Sequence, residues 1–241
     1  RMCVTIHSFG ALMAFPFPLS QIATIIVRYQ LTYTKPPKDA LAYTDKMDKI
    51  YSWSAKAYDG FMFVFPLWKK WLRSILPYVK SGKLLEVSFG PAWLMQKYPK
   101  DIDIYGLDYN ETMVERAKVK LEKNNINAQI IKGNVEHLPF PDNSFDTVVN
   151  TMAFTGYPDG KHAMIEMLRV LKPDGVLLLL DYDYPPNRNA FGYLFVRFIE
   201  LCGDIIKDIP KLIDESGATY ERNLIGGAGS IQLFIIKPKT T

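Results

Sequence analysis

The chain has 241 residues, of which 48% are hydrophobic. This is enough for one substantial domain with a short extension, and a second domain is not required. The formal net charge is only +4, and the sequence has no dense run of lysine and arginine, so we expect no nucleic-acid partner. Its two cysteines exclude a disulfide framework and a cysteine metal site, and they predict a reducing, cytoplasmic compartment.

Residues 1–38 form an apolar N-terminal extension. Residues 2–27 carry no charged side chain, and the run at 8–27 is long enough to cross a bilayer, although Pro16 and Pro18 interrupt a helix. Residues 1–80 carry 11 Lys and Arg against 4 Asp and Glu, a balance that suits an anionic membrane surface. The alternatives are a membrane anchor, a cleaved signal, or a segment at an interface or packed on its own domain.

Residues 39–82 predict helices that cap a site on the following domain. A Pro-Pro linker at 34–39 precedes them. The stretch 61–78 carries large apolar side chains together with Lys69, Lys70 and Arg73. It therefore either packs on the main domain or dips into lipid.

The region 83–241 alternates short apolar runs with helical stretches, a pattern typical of βαβ units and a parallel sheet. The five runs are 83–89, 102–108, 128–133, 145–152 and 175–182. Two final runs, 218–225 and 230–238, are separated only by "GGAG", which permits a hairpin and forbids a crossover helix. The sequence therefore predicts an α/β fold with five parallel strands, an antiparallel strand pair and helices on both faces. An insertion at 187–217 is predicted to form an apolar lid, with most of its large side chains in the core.

A glycine turn followed by an acidic residue at the end of the next strand is the strongest local signal. Asp108 stands 18 residues after Gly90, and a carboxylate at this spacing can bind both ribose hydroxyls of a nucleotide above the turn. The turn "SFGPAW" lacks the GxGxxG pattern that a dinucleotide pyrophosphate needs. We therefore expect a ligand without phosphates, and a helix immediately after the turn.

Four blocks of sequence resemble the class I S-adenosylmethionine-dependent methyltransferases, in particular the small-molecule branch with the quinone-biosynthesis C-methyltransferases. The blocks are "LLEVSFGPA", "YGLDYNETMVERAK", "IKGNVEHLPFPDNSFDTVVNTMAF" and "EMLRVLKPDGVLLLLD". The last two are the most specific, and the resemblance covers residues 50–238. It implies a Rossmann-like seven-stranded methyltransferase sheet, S-adenosyl-L-methionine as cofactor and S-adenosyl-L-homocysteine as product.

The resemblance also implies a set of cofactor-binding residues. They are Tyr58, Glu86, Ser88, Phe89, Gly90, Asp108, Tyr109, Met113, Asn134, Val135, Asn150 and Thr151. Asp108 would take the ribose hydroxyls, Asn134 would accept from the adenine amino group, and Tyr58 would lie in a helix that closes over the cofactor. Ser88 and Ala92 replace family glycines; we expect a slightly wider turn at Ser88 and ordinary helical backbone angles at Ala92.

The acceptor side is less determined by sequence. Methyl transfer from a sulfonium is an in-line displacement, so positioning supplies most of the acceleration, and a base is needed only if the acceptor must lose a proton. Tyr157 and Asp183 follow the fourth and fifth strands, where α/β sheets bind ligands, and are the candidates for the acceptor pocket. No cluster has metal-ligand spacing, so we expect no metal.

The expected activity is S-adenosylmethionine-dependent methyl transfer (EC 2.1.1 class) to a small, apolar or lipid-like molecule. A membrane surface contacted through residues 8–27 and 61–78 is the expected partner besides the acceptor. One alternative is a catalytically inactive methyltransferase-fold subunit that serves in binding or assembly. The other, an RNA methyltransferase, fits poorly because residues 81–241 carry 18 basic against 21 acidic side chains.

Overall fold

The computed structural model describes residues 33–64 and 66–239, and within the first helix it describes no side chain from residue 54 onward. The expected N-terminal membrane segment at 8–27 lies outside these residues. Among the helices that are described, none is long and apolar enough to cross a membrane.

Seven strands form one sheet in the order β3-β2-β1-β4-β5-β7-β6. The first five strands pair in parallel, whereas β7 is antiparallel to both β5 and β6. The strands are β1 Lys83–Val87, β2 Asp103–Asp108, β3 Ala128–Lys132, β4 Phe145–Thr151, β5 Leu171–Tyr182, β6 Thr219–Gly226 and β7 Ile231–Lys237. The predicted sheet is confirmed, and β5 is longer than expected because it begins at Leu171.

The central strands are buried on both faces. Leu84 and Leu85, which are neighbours in β1 and point to opposite sides, are both fully buried, and they belong to two separate core clusters. Each fully buried leucine contributes about 1.5–3 kcal/mol relative to an exposed one. Burial on both faces explains why these strands read as continuous apolar runs and not as alternating patterns.

Six α-helices surround the sheet within the described residues. They are α1 Ala40–Val64, α2 Pro66–Arg73, α3 Glu111–Lys123, α4 Gly160–Arg169, α5 Ala190–Leu201 and α6 Ile209–Glu215. The last four each begin at an Asn or Asp whose side chain accepts a backbone N–H of the first turn, the strongest local signal for a helix start. Helix α4 ends three residues earlier than predicted, because Lys172 already belongs to β5.

Helix α5, in the predicted lid, differs from its expectation. Phe191, Leu194, Phe198 and Leu201 are 79%, 52%, 59% and 82% exposed. Their spacing places them on one side of the helix, whereas Val196 on the other side is fully buried. The prediction that most of these side chains join the core is therefore wrong, since a helix in the outermost layer buries only one face.

Candidate functional site

A cavity of about 350 Å³ lies at the carboxyl ends of the parallel strands, the edge at which open α/β sheets bind ligands. Its β3 end is lined by the segments that follow β1, β2 and β3. Its β5 end is lined by residues 151–153 and 156–158 at and after the end of β4, and by Tyr182, Ile199 and Asp204. Helices α1 and α2 also contribute; their lining residues are Thr44, Met47, Asp48, Tyr51, Trp68 and Leu72.

The turn after β1 has three left-handed residues at alternate positions. Ser88, Gly90 and Ala92 have φ values of 52°, 54° and 52°. The expectation of ordinary backbone angles at Ala92 is therefore wrong, and Ser88 too keeps a conformation that favours glycine. Each left-handed non-glycine residue costs about 1–2 kcal/mol. The expected helix is also absent here, because the alternating conformation excludes helical geometry, and a single 3-10 turn forms at Met95–Lys97.

Gly90 exposes its backbone to the cavity. A Cβ atom built on Gly90 would meet nothing within 4 Å, and Gly90 lines the cavity. Its N–H donates to Asp108 Oδ2 at 2.8 Å. The turn therefore offers an open backbone surface beside the carboxylate that ends β2.

Asp108 is 7% exposed and lines the same end of the cavity. Its Oδ1 accepts the N–H of Asn110 at 2.9 Å, while its Oδ2 accepts that of Gly90. Burial raises the pKa of Asp108 to about 6, and these backbone hydrogen bonds oppose the increase. Each carboxylate oxygen has a second lone pair, so Asp108 can still accept two hydroxyl donors.

Burial favours the uncharged form of Glu86 in the free protein. Its side chain is 1% exposed, and Tyr98 donates its hydroxyl hydrogen to Glu86 Oε2 at 2.8 Å. Burial raises the pKa of Glu86 to about 8, although the Tyr98 hydrogen bond opposes this. A cationic ligand near Glu86 would favour the ionised form.

Tyr157 links the two ends of the cavity. Its hydroxyl lies 2.7 Å from Ser88 Oγ, and the side-chain amide of Asn150 donates to it at 2.5 Å. Burial raises the pKa of Tyr157 far above its usual range. The hydroxyl is therefore a fixed structural bridge between the turn after β1 and the end of β4.

Helix α1 is fastened over the β3 end by Asn110. The Asn110 amide nitrogen donates to Asp48 Oδ1 at 2.8 Å and lies 2.7 Å from Ser52 Oγ. Sequence analysis predicted capping helices at 39–82 but did not name this surface of α1, which also brings Thr44, Met47 and Tyr51 to the cavity. The signal was present, because these residues and Asp48 recur at three- and four-residue spacing.

Most of the predicted site residues come together at this cavity. Those that line it are Glu86, Ser88, Phe89, Gly90, Asp108, Tyr109, Met113, Asn134, Val135, Thr151 and Tyr157. Asn150 lies behind Tyr157, and the Tyr58 side chain is outside the described part of α1. Asn134 Oδ1 already accepts the N–H of Glu136 at 2.9 Å, so only its second lone pair is available to a ligand.

Asp183 is not among the described lining residues. It is 1% exposed, and its Oδ1 accepts the N–H of Tyr184 at 2.7 Å. Burial raises its pKa to about 7, against the opposing hydrogen bond from Tyr184. At the β5 end, the carboxylate that lines the cavity is Asp204, which sequence analysis missed because it follows a helix and not a strand.

The sheet order and the carboxylate at the end of β2 define a Rossmann-like methyltransferase fold. A family profile described as "Methyltransferase domain" matches residues 85–179. The chain is also similar in structure to an S-adenosylmethionine-dependent methyltransferase from Clostridium acetobutylicum, with a TM-score of 0.61 at 12% identity, covering 76% of this chain and 100% of that one.

Curated relatives narrow the family to which the chain belongs. Demethylmenaquinone methyltransferase from Listeria welshimeri is 30% identical over 167 residues, covering 64% of this chain and 71% of that protein. The enzyme of the same name from Geobacillus stearothermophilus is 34% identical over 142 residues, covering 55% and 59%. The chain belongs to the class I S-adenosylmethionine-dependent methyltransferases and is similar to the quinone-biosynthesis enzymes among them. Family and fold imply S-adenosylmethionine as the cofactor.

Proposed function

We propose that this protein transfers the methyl group of S-adenosylmethionine to the ring of a small, apolar, quinone-type acceptor. The observation that carries the proposal is the division of one cavity into two chemically different ends. The β3 end presents an open backbone turn and the Asp108 carboxylate. The β5 end presents mainly apolar and aromatic side chains, among them Met152, Tyr182 and Ile199.

The β3 end fits the cofactor. Asp108 can accept both ribose hydroxyls, and the open side of Gly90 leaves room for the ligand backbone above the turn. Tyr109 and Met113 supply apolar surface for the adenine ring. Glu86 also lines this end, and a positive charge beside it would favour its ionised form, which suits the methionine part of the ligand.

When bound, S-adenosylmethionine supplies an electrophilic methyl group on a sulfonium. The chain contributes positioning and exclusion of water. Tyr157, held by Ser88 and Asn150, forms a rigid floor between the two ends, and α1 covers the β3 end through Asn110. A fixed geometry of this kind accelerates an in-line displacement through positioning.

The acceptor proposal combines the apolar β5 end with the names of the relatives. The Listeria and Geobacillus proteins are demethylmenaquinone methyltransferases. A reduced naphthoquinone ring is flat, apolar and carries hydroxyl groups, so it matches a cavity end with apolar walls and a few polar atoms. We expect the ring to enter beneath α5, whose Ile199 lines the cavity.

The first experiment measures cofactor binding by calorimetry. Wild-type protein should bind S-adenosylmethionine in the micromolar range, and Asp108→Ala should weaken binding at least about 100-fold, since it removes two charge-assisted hydrogen bonds. Asp174→Ala, at an exposed position near the start of β5 and away from the cavity, is the matched control and should bind normally. Millimolar ligand without binding to the wild-type protein would exclude the enzymatic proposal.

The second experiment measures transfer of radiolabelled methyl groups to a reduced demethylnaphthoquinone. Transfer supports the proposal. Cofactor binding without transfer to any hydroxylated aromatic ring would favour the alternative, a methyltransferase-fold subunit that binds but does not catalyse. The two experiments therefore separate loss of binding from loss of chemistry.

A membrane surface, contacted through residues 8–27 and 61–78, is part of the proposal. Supporting it, Leu67 in α2 is 58% exposed and lies close to the half-buried Lys69 and the exposed Lys70. A variant that begins at Lys38 should lose co-sedimentation with anionic vesicles. Equal co-sedimentation of both forms would exclude residues 8–27 as the anchor.

A further inference from the structure

A buried polar network lies behind the β5 end of the cavity. Thr155 Oγ1 lies 2.9 Å from Asp204 Oδ1 and 3.2 Å from Asp181 Oδ1. Asp181 Oδ2 accepts the backbone N–H groups of Phe154 and Thr155 at 2.5 and 3.2 Å. The end of β5, the loop after β4 and the segment after α5 are thereby joined through side chains.

Lys207 supplies the positive charge of this network. It is 8% exposed, and its Nζ donates to the carbonyl oxygens of Phe154 and Ile205 at 2.8 and 3.1 Å. Burial lowers the pKa of Lys207 to about 7, although Asp181 and Asp204 act in the opposite direction. The lysine therefore stabilises nearby carboxylates most below pH 7, where it is charged.

Asp204 is the member of the network that reaches the cavity. Among the described residues that line the β5 end, it is the only one with an ionisable carboxyl or ammonium group. Burial raises its pKa, while Thr155 and Lys207 oppose that effect. A carboxylate with one oxygen fixed by Thr155 can present the other oxygen to a donor in an otherwise apolar space.

We propose that Asp204 accepts the proton of a hydroxyl on the acceptor ring, beside the carbon that receives the methyl group. This inference rests on the proposed function. Asp204 would touch the substrate directly, and Thr155 would act through Asp204 as a positioning residue.

The proposed step conserves atoms and charge. The ring O–H bond breaks as its proton moves to Asp204, and the electron pair on oxygen raises electron density at the neighbouring carbon. That carbon forms a bond to the methyl group as the sulfur–methyl bond breaks, leaving a neutral thioether. The carbon's own hydrogen then leaves to water as a proton, and Asp204 returns its proton to the ring oxygen. One proton is released for each methyl transferred.

The proton-accepting role predicts an acid limb in the pH profile. Asp204 must be ionised, so kcat/KM should fall as pH falls through its raised pKa. The groups that face it are Thr155, Asp181, Lys207 and Tyr43, whose hydroxyl donates to the carbonyl of Gly203 at 3.1 Å. Glu136 and Asp159 in turn face Lys207. The apparent pKa of the acid limb therefore belongs to the whole cluster of ionisable groups and not to one isolated carboxyl.

The test compares Asp204→Asn with wild type on two acceptors, a reduced naphthoquinone with a free hydroxyl and its methyl ether at the same position. Asparagine keeps the Thr155 hydrogen bond and can still accept one from the ring hydroxyl, so KM and cofactor affinity should stay within about threefold. The kcat for the hydroxylated ring should fall about 100-fold or more, the usual contribution of a general base. The ether has no proton to lose and should react equally slowly with both proteins. Asp214→Asn, at an exposed position on α6, should match wild type.

Three outcomes would overturn the inference. They are an unchanged kcat in Asp204→Asn, an equal loss with both acceptors, or, should that variant fail to fold, a wild-type pH profile without an acid limb for the hydroxylated ring. Failure of the wild-type protein to methylate either ring would instead refute the proposed function, and this inference with it. A partial recovery of kcat in Asp204→Glu, relative to Asp204→Asn, would support the assignment, because glutamate keeps the carboxylate but displaces it by one methylene group.

Discussion

Ser88 Oγ lies 2.7 Å from the hydroxyl of Tyr157, so the turn after β1 is bonded directly to the loop after β4. A glycine at position 88 could not make this contact. The serine therefore adopts a strained left-handed backbone conformation, but it provides a hydrogen bond at the point where the two ends of the cavity meet.

Removal of the Tyr157 hydroxyl should destabilise the protein through its buried partner. In Tyr157→Phe the amide of Asn150, which is fully buried, loses its hydrogen-bond acceptor, at a cost of about 1–3 kcal/mol. Ser88→Gly should cost less, because it also relieves a left-handed serine. Urea unfolding of the double variant should reveal a coupling of about 0.5–1.5 kcal/mol; strict additivity would show that the 2.7 Å contact carries no energy.

Gly90 and Gly217 form a matched pair for testing the cavity. Both have positive φ, 54° and 75°, and a Cβ atom on either would meet nothing within 4 Å. Alanine should therefore cost a similar 1–2 kcal/mol of stability at each position. Only Gly90→Ala adds a methyl group inside the cavity, so it should weaken S-adenosylmethionine binding at least about tenfold while Gly217→Ala leaves it unchanged. Equal affinities by calorimetry would place the cofactor elsewhere.

Ala92 combines a left-handed backbone with complete burial. Ala92→Gly relieves the backbone strain but loses a buried methyl and adds freedom to the unfolded chain, so the net change should lie within about 1 kcal/mol. Ala92→Val places a β-branched side chain in the same conformation and overfills the core, which should cost about 2 kcal/mol or more. Urea midpoints measure both; a tolerated valine would show that the turn can change its conformation.

Cofactor binding should release a proton near neutral pH. The pKa of Glu86 in the free protein is raised to about 8, so the carboxyl is mostly protonated at pH 7. A cationic ligand favours the ionised form, and affinity should therefore rise as pH rises toward 8, by up to tenfold per unit. Below pH 6, protonation of Asp108, whose pKa is about 6, should weaken binding further.

Calorimetry at pH 7 in two buffers of different ionisation enthalpy detects the released proton. Glu86→Gln should abolish the buffer dependence and flatten the pH profile of affinity. Glu115→Gln, at an exposed position of α3, should keep both. The same binding enthalpy in both buffers with wild-type protein would contradict the linkage.

The sheet was predictable because its signal is one of period and composition. Runs such as 83–89 and 175–182 are mainly apolar, and burial of a strand on both faces explains such runs at that length. The GGAG connection likewise fixed the antiparallel pair. Asp108 was predictable at the end of β2 because the apolar run at 102–108 ends there.

The backbone angles of the turn after β1 could not be predicted from sequence period and composition. Alanine and serine rarely adopt positive φ, so sequence alone favoured ordinary angles at Ala92. The surrounding core decides otherwise, because Ala92 is fully buried and Ser88 is bonded to Tyr157. Asp204 was missed for a related reason: it follows a helix, and tertiary contacts such as that with Thr155 bring it to the cavity.

The Asn110 side chain makes two independent sets of hydrogen bonds, one within α3 and one to α1, and this matters for how ligands enter the cavity. Its Oδ1 accepts the N–H of Met113 and starts α3, while its amide nitrogen holds Asp48 and Ser52 of α1. Breaking the second set of bonds leaves the first intact. Loss of the bonds between Asn110 and α1 would therefore leave the first turn of α3 intact, so opening the cavity on this side would not require α3 to unfold.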